Sequence, residues 1–216
     1  METEGKKGTT TIGLVCDSGV VLATEKRATM GNFIAHKDTQ KLFPVGNNLG
    51  MTIAGLVADG QMLARYMGAE IELFQLKRGK DITVRGAATL LSNILAGRRM
   101  LPYFIGILLG GVDSKGGHVY SMDMAGGAIP DDYASIGSGS PFVYGVLEDH
   151  YEKGMKLEEG IDLAVLSLMV SSSRDSASGD GIRAASITED GFQEIDEKDI
   201  DKRMSKIKKE KGLRLP

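Results

Sequence analysis

At 216 residues, 42% hydrophobic and 25% charged, the chain has the makeup of a single globular domain with a substantial core. A net charge of −3 gives no overall attraction to nucleic acid or to an acidic membrane, and a single cysteine excludes an intramolecular disulfide. No apolar run approaches the roughly 18 residues of a membrane span, and Met1 to Gly8 lacks the apolar stretch of a secretory signal, so a cytoplasmic location is expected.

The first distinctive stretch is Gly8-Thr9-Thr10-Thr11-Ile12-Gly13. Threonine favours strands, so the triplet reads as the opening of one. It also supports a second reading. If the chain is cut between Gly8 and Thr9, Thr9 carries a hydroxyl and a free α-amine. That amine has a pKa of about 7.7–8.0, which suits a general base at neutral pH. The triplet alone leaves both readings open.

Thr9 to Cys16 and Val20 to Thr24 read as a hairpin around the turn Asp17-Ser18-Gly19. Cys16 fits a small core residue. Glu25-Lys26-Arg27 then places charge at a strand end, where a glutamate is ordinarily solvated. Lys37 to Val45 follows, centred on Lys41-Leu42-Phe43, with Lys41 by itself an ordinary surface lysine. After Gly46-Asn47-Asn48 comes the strand Leu49 to Ala54, closed by Gly55.

Val57 to Leu76 has helical spacing, with Met62, Tyr66, Ala69 and Leu73 on one face and Leu63, Met67 and Phe74 beside it. A second helix spans Val84 to Ala96 through Val84, Ala87, Ala88, Leu91 and Leu95. Tyr103 to Val112 and His118 to Asp123 are strands, and Gly126 to Asp132 is a loop before the strand Tyr133 to Ile136. Gly137-Ser138-Gly139-Ser140-Pro141 leads into a helix through Val143 and Leu147. Leu157 to Met169 is a further amphipathic helix, and Ser171 to Gly181 reads as a flexible polar loop. Strands Ile182 to Ile187 and Phe192 to Ile195 precede a lysine-rich tail, Lys198 to Pro216. Ile200, Met204 and Ile207 give that tail one thin apolar stripe on a solvated helix. Its lack of interleaved aromatics argues against a nucleic-acid arm.

His36, His118 and His150 are scattered and no zinc motif is legible, so neither a metal nor a cofactor is expected. The nucleophile elbow G-x-S-x-G, the phosphate loop and the dinucleotide fingerprint are all missing. Paired strands alternate with paired helices, which predicts an α+β fold of two stacked antiparallel sheets with helices outside each.

Six pieces of the chain resemble the β-type subunits of the 20S proteasome, most nearly those of archaea. They are Gly8-Thr9-Thr10-Thr11, Ala23-Thr24-Glu25-Lys26-Arg27-Ala28-Thr29-Met30-Gly31, Lys41-Leu42-Phe43 and Met51-Thr52-Ile53-Ala54-Gly55. The last two are Gly137-Ser138-Gly139-Ser140 and Arg174-Asp175-Ser176-Ala177-Ser178-Gly179-Asp180-Gly181. Each is short, but they stand in the family's order with its gaps. The resemblance covers Gly8 to about Ile207 and implies the four-layer αββα sandwich of N-terminal nucleophile hydrolases.

It also implies a threonine endopeptidase. Residues 1–8 would be a propeptide removed by autoprocessing at Gly8 and Thr9, and 9–216 the catalytic domain. Thr9 matches the nucleophile, Lys41 the lysine that lowers the pKa of the nucleophilic system, and Glu25 the carboxylate that orients the lysine. Many active relatives have aspartate at that last position. Ser138, Asp175 and Ser178 match the polar set around the terminal amine, and Gly55 the glycine whose N–H stabilises the oxyanion. Thr29 matches a residue that holds the peptide as an added strand. Ala28, Thr39, Phe43, Ile53 and Val57 match an acid-free pocket suited to large apolar side chains.

Implied partners are α-type subunits in heptameric outer rings, other β subunits in heptameric inner rings, an ATPase regulator acting through the α rings, and unfolded protein substrates. Neither nucleic acid nor membrane is among them. A non-catalytic structural ring subunit, or a subunit of the bacterial two-ring protease, are the alternatives. Thr9, Glu25 and Lys41 together argue against the first, and the Gly137 loop and the tail against the second.

Overall fold

In the computed structural model, which describes residues 8–211, two five-stranded antiparallel sheets lie face to face. The first contains β1 (Thr10–Val15), β2 (Val20–Glu25), β10 (Tyr133–Gly137), β11 (Ile182–Thr188) and β12 (Gly191–Glu194), in the order β10-β1-β2-β11-β12. The second runs β5-β6-β7-β8-β9, from β5 (Leu42–Gly46), β6 (Leu49–Gly55), β7 (Ile105–Asp113), β8 (Gly116–Met122) and β9 (Ala128–Asp131). A small hairpin, β3 (Ala28–Met30) with β4 (Phe33–His36), stands apart from both sheets.

The strands bury both faces, so their apolar residues divide between layers by simple alternation. In β2, Val20 and Leu22 face the other sheet, while Val21 and Ala23 face helices. The inter-sheet layer also takes Leu42, Leu108, Val119, Ala185 and Ile187. Outside the second sheet lie α1 (Val57–Arg78) and α2 (Val84–Ala96). Outside the first lie α3 (Ser140–His150), α4 (Leu157–Arg174) and α5 (Glu197–Lys211). The result is the four-layer αββα sandwich, an α+β fold with three apolar layers. Among the described residues no helix is long and apolar enough to cross a membrane.

Several elements differ from the expectations drawn from the sequence. On α1 the buried residues are Gly60, Leu63, Ala64, Met67 and Ile71, whereas Met62, Tyr66 and Leu73 are 37%, 48% and 42% exposed. The helix packs close, since a Cβ on Gly60 would lie 2.1 Å from Ile53 Cδ1. The contact face thus combines Leu63, Met67 and Ile71 with the small Gly60 and Ala64, and the stripe through Met62, Tyr66 and Leu73 is turned outward. The hairpin β3–β4 forms in a stretch to which the sequence assigned no element, and the edge strand β9 in one read as a loop. The polar segment beginning at Ser171 continues α4 for one more turn, with Ser171 fully buried. Glu25 and Lys26 at the end of β2 are 0% and 7% exposed, where solvated charge was expected.

Candidate active site

Thr9 sits immediately before β1, at the end of the sandwich where β2 finishes, β5 begins and the loop after α4 returns to β11. It is 4% exposed. Its hydroxyl donates to the carbonyl of Gly8 at 2.7 Å and accepts from Lys41 Nζ at 3.2 Å. Gly8 is tightly enclosed: a Cβ there would lie 1.8 Å from Ala177 Cβ. Its N–H donates to Thr29 Oγ1 at 3.1 Å. The proposed leader otherwise falls on residues 1–7, outside the described residues.

Lys41 is 1% exposed, just before β5. Its ammonium is ion-paired with Glu25 Oε1 and also donates to the carbonyl of Arg27. Glu25 is fully buried and surrounded by donors. Oε1 takes Lys41 and the N–H of Thr10 at 3.2 Å, and Oε2 takes the N–H groups of Arg27 at 2.7 Å and Gly179 at 3.1 Å. Burial pushes the Lys41 amine below the usual lysine range, against the pull of Glu25, with the Arg27 guanidinium adding to the lowering. Burial likewise pushes Glu25 above the usual carboxylate range, opposed by Lys41 and the backbone donors. A buried lysine held against a hydroxyl in this way is suited to activating that hydroxyl.

On the other side of Thr9, its backbone N–H donates to Ser138 Oγ at 3.2 Å. Ser138 and Ser178 each donate to Asp175 Oδ2 at 2.6 Å, and Oδ1 accepts the N–H of Ala177 at 3.1 Å. Asp175 closes α4, so the helix end and the turn after it deliver Asp175 and Ser178 together. Ser138 arrives from the loop between β10 and α3, where Gly137 has φ +103. A Cβ on Gly137 would lie 1.8 Å from the Thr9 carbonyl oxygen, so only glycine allows that approach. Thr9, Glu25, Lys41, Ser138, Asp175 and Ser178 thus form one connected network.

Gly55 ends β6 with φ +126, and a Cβ there would meet the Phe104 carbonyl oxygen at 2.3 Å. Thr29 is on β3. Ala28, Thr39 and Val57 are half-buried, whereas Phe43 and Ile53 are 9% and 1% exposed and belong to the core beneath α1. The last two therefore offer little free surface of their own. The sequence reading missed the donors from the Arg27 and Gly179 backbones and the acceptor carbonyl of Arg27. Main-chain partners leave no trace in residue type. It also left Thr10 and Ser171 without a role, although both lie beneath the site.

A family model described as proteasome subunit matches residues 5–187. Proteins named proteasome subunit beta are similar along nearly the whole chain. The one from Archaeoglobus profundus is 50% identical over 204 residues, covering 94% of this chain and 95% of that protein. That from Methanohalophilus mahii is 49% identical over 203 residues, covering 94% and 97%. That from Thermoplasma acidophilum is 48% identical over 201 residues, covering 93% and 95%.

Proposed function

The chain belongs to the proteasome subunit family, and on that premise we propose that it is a proteolytic β subunit of the 20S core particle, a threonine endopeptidase acting on unfolded polypeptides. The observation that carries this reading is the contact of Lys41 Nζ with the Thr9 hydroxyl, backed by the buried Glu25.

In the proposed reaction, Thr9 Oγ1 attacks the scissile carbonyl. Lys41 favours loss of the hydroxyl proton, and Glu25 holds Lys41 in place. Once Thr9 is the first residue, its amine serves as proton acceptor and then as donor to the leaving amine. Ser138, Asp175 and Ser178 orient that amine. The Gly55 N–H is the proposed donor to the oxyanion, the kind of preorganised contact that is worth about 3–4 kcal/mol in related chemistry. Thr29 would hold the substrate as an added strand. Ala28, Thr39, Phe43, Ile53 and Val57 would receive the residue before the scissile bond, favouring large apolar side chains because the set contains no acid.

The same nucleophile would first free itself. With Gly8 attached, the Thr9 nitrogen is an amide and cannot act as a base, yet the hydroxyl already touches the Gly8 carbonyl oxygen. Attack on that carbonyl would move the acyl group from nitrogen to oxygen. Hydrolysis of the ester would then release residues 1–8. Water or Ser138 would stand in as proton acceptor before the cut, and the Lys41 nitrogen, which touches the hydroxyl, is a third candidate once it has lost its own proton.

The family membership supports assembly into a proteasome core with α-type subunits. Two heptameric β rings between heptameric α rings, an ATPase regulator working through the α rings and a cytoplasmic location complete the proposal. The test is hydrolysis of fluorogenic peptides by the particle assembled with its α partner. Thr9→Ala and Lys41→Ala should each abolish it without unfolding the chain, and wild-type turnover in either would remove the assignment.

A further inference from the structure

Two buried hydroxyls next to this site have no part in the chemistry described so far. Thr10 and Ser171 are both fully buried, and Thr10 Oγ1 lies 2.8 Å from Ser171 Oγ and 2.7 Å from Ser178 Oγ. We propose that Thr10 and Ser171 are positioning residues for the reaction at Thr9, forming the inner end of a one-way chain of hydroxyl hydrogen bonds that fixes Ser178 and Asp175. This rests on the reading of Thr9 as the nucleophile.

The direction of the chain follows from counting hydrogens. An ionised Asp175 has none to give, so Ser138 and Ser178 must both point theirs at Oδ2. A serine has one hydroxyl hydrogen. With it committed to Asp175, Ser178 Oγ can only accept from Thr10. The Thr10 hydrogen is then committed too, and Thr10 Oγ1 can only accept from Ser171. Every hydrogen from Ser171 to Ser178 therefore points towards the carboxylate. Hydrogen bonds aligned this way polarise one another in a dry interior.

The same counting reaches the nucleophile. Ser138, having donated to Asp175, faces the Thr9 nitrogen as an acceptor. A neutral terminal amine at Thr9 would give Ser138 one hydrogen and keep its lone pair free for the substrate proton. If Ser178 loses its incoming hydrogen bond, its rotor is free to turn away from Asp175, and the carboxylate that sets the acceptor role of Ser138 is then held only by Ser138 itself and the Ala177 N–H. Packing supports the same role. A Cβ on Gly139 would lie 2.1 Å from Thr10 Oγ1 and 2.0 Å from Ser171 Oγ. The backbone beside Ser138 thus rests directly on the two hydroxyls.

The test uses Thr10→Val, Thr10→Ser, Ser171→Ala and the Thr10→Val/Ser171→Ala double variant in the assembled particle, with Thr9→Ala as the control. Processing is checked by intact mass so that kcat and KM refer to mature sites. Thr10→Val should lower kcat by about 10- to 100-fold, the rate equivalent of one unmade buried hydrogen bond, with KM little changed. Thr10→Ser should restore most of it. The double variant leaves no hydroxyl unpaired between the two positions, so its thermal stability should return towards wild type while kcat stays low.

A kcat that recovers along with stability in the double variant would reduce the pair to a packing role and overturn the proposal. So would wild-type kcat in Thr10→Val beside an inactive Thr9→Ala. An active Thr9→Ala would instead remove the nucleophile assignment on which the proposal stands. If Thr10→Val does not assemble, Thr10→Ala removes the same hydroxyl and carries the same prediction, and wild-type kcat there overturns it; Ser171→Ala, which leaves Thr10 donating to Ser178, should lower kcat by a smaller factor.

Discussion

Glu25→Gln is a severe change at this site although it preserves shape. All of the partners of the carboxylate are donors: Lys41 and the Thr10 N–H on one oxygen, the Arg27 and Gly179 N–H groups on the other. A glutamine has one oxygen and one NH2 group, so whichever way it is turned the NH2 faces two donors. Lys41 also loses its paired charge while remaining 1% exposed. Breaking a buried ion pair from one side costs about 3–5 kcal/mol. For a domain of this size each kcal/mol corresponds to about 2–4 °C, so melting should fall by about 6–20 °C. The assay is thermal denaturation of the full chain at fixed concentration in a Thr9→Ala background, which keeps processing out of the comparison and holds assembly constant. Glu25→Asp keeps the charge and should lose much less. A Glu25→Gln protein within about 1 °C of its parent would refute the reasoning, because the carboxylate could not then be the acceptor that these donors require.

Three further outcomes are expected. Self-cleavage of the precursor should rise with pH and level off below the usual lysine range, because burial disfavours the Lys41 ammonium and the amine must be unprotonated to accept the Thr9 proton; Lys41→Arg, which stays charged, should show no such limb in a mass-resolved time course. Gly139→Ala should destabilise the chain by about 1–3 kcal/mol in urea titration and slow peptide turnover, because its methyl group would overlap Thr10 and Ser171; unchanged stability would contradict the packing described. Among fluorogenic peptides ending in Leu, Tyr, Arg or Glu, those ending in Leu and Tyr should be cleaved faster, and a clear preference for Arg or Glu would reject the proposed pocket.

Much of the fold could be read from local signals. The turn chemistry at Asp17-Ser18-Gly19 and the alternation around it specify β1 and β2, and the spacing of Val84, Ala87, Ala88, Leu91 and Leu95 specifies α2 and its buried face. The face of α1 is harder to read, because Leu63, Met67 and Ile71 compete with a similarly apolar stripe through Met62, Tyr66 and Leu73. Gly60 and Ala64 add little apolar area but let the helix settle on Ile53, and this close approach decides the contact. Met62, Tyr66, Leu73 and Leu76 keep the same periodicity on an exposed face. In a family that works as assemblies, such a face need not be covered by its own chain. The run Ser171-Ser172-Ser173-Arg174 is polar, yet the first of these serines is buried because a hydroxyl partner, Thr10, awaits it across the layer. No single-sequence pattern reports a partner 161 residues away.

The site was legible in a different way. The residue types at Glu25 and Lys41 suggest solvated side chains, and only resemblance to a family gave them a role. The structure supplies the physical reason why these charges are inside: each meets the other, and the surplus acceptor capacity of Glu25 is taken up by main-chain donors. Those donors come from positions 27 and 179, whose side chains play no part in the bonds, so the sequence carried no sign of them. Gly137 and Gly55 were conspicuous as residue types, but the close approaches that require glycine, to the Thr9 and Phe104 carbonyl oxygens, appear only once the strands are paired.

The central claim, that Thr9 is the nucleophile and frees its own amine, is tested most directly by the intact mass of the chain before and after assembly with an α-type partner. Wild type should lose residues 1–8 on assembly, leaving Thr9 first, and Thr9→Ala should keep them when no other active protease is present. Clean removal of the same residues from Thr9→Ala under those conditions would contradict the account, because the hydroxyl would then have no part in the cut.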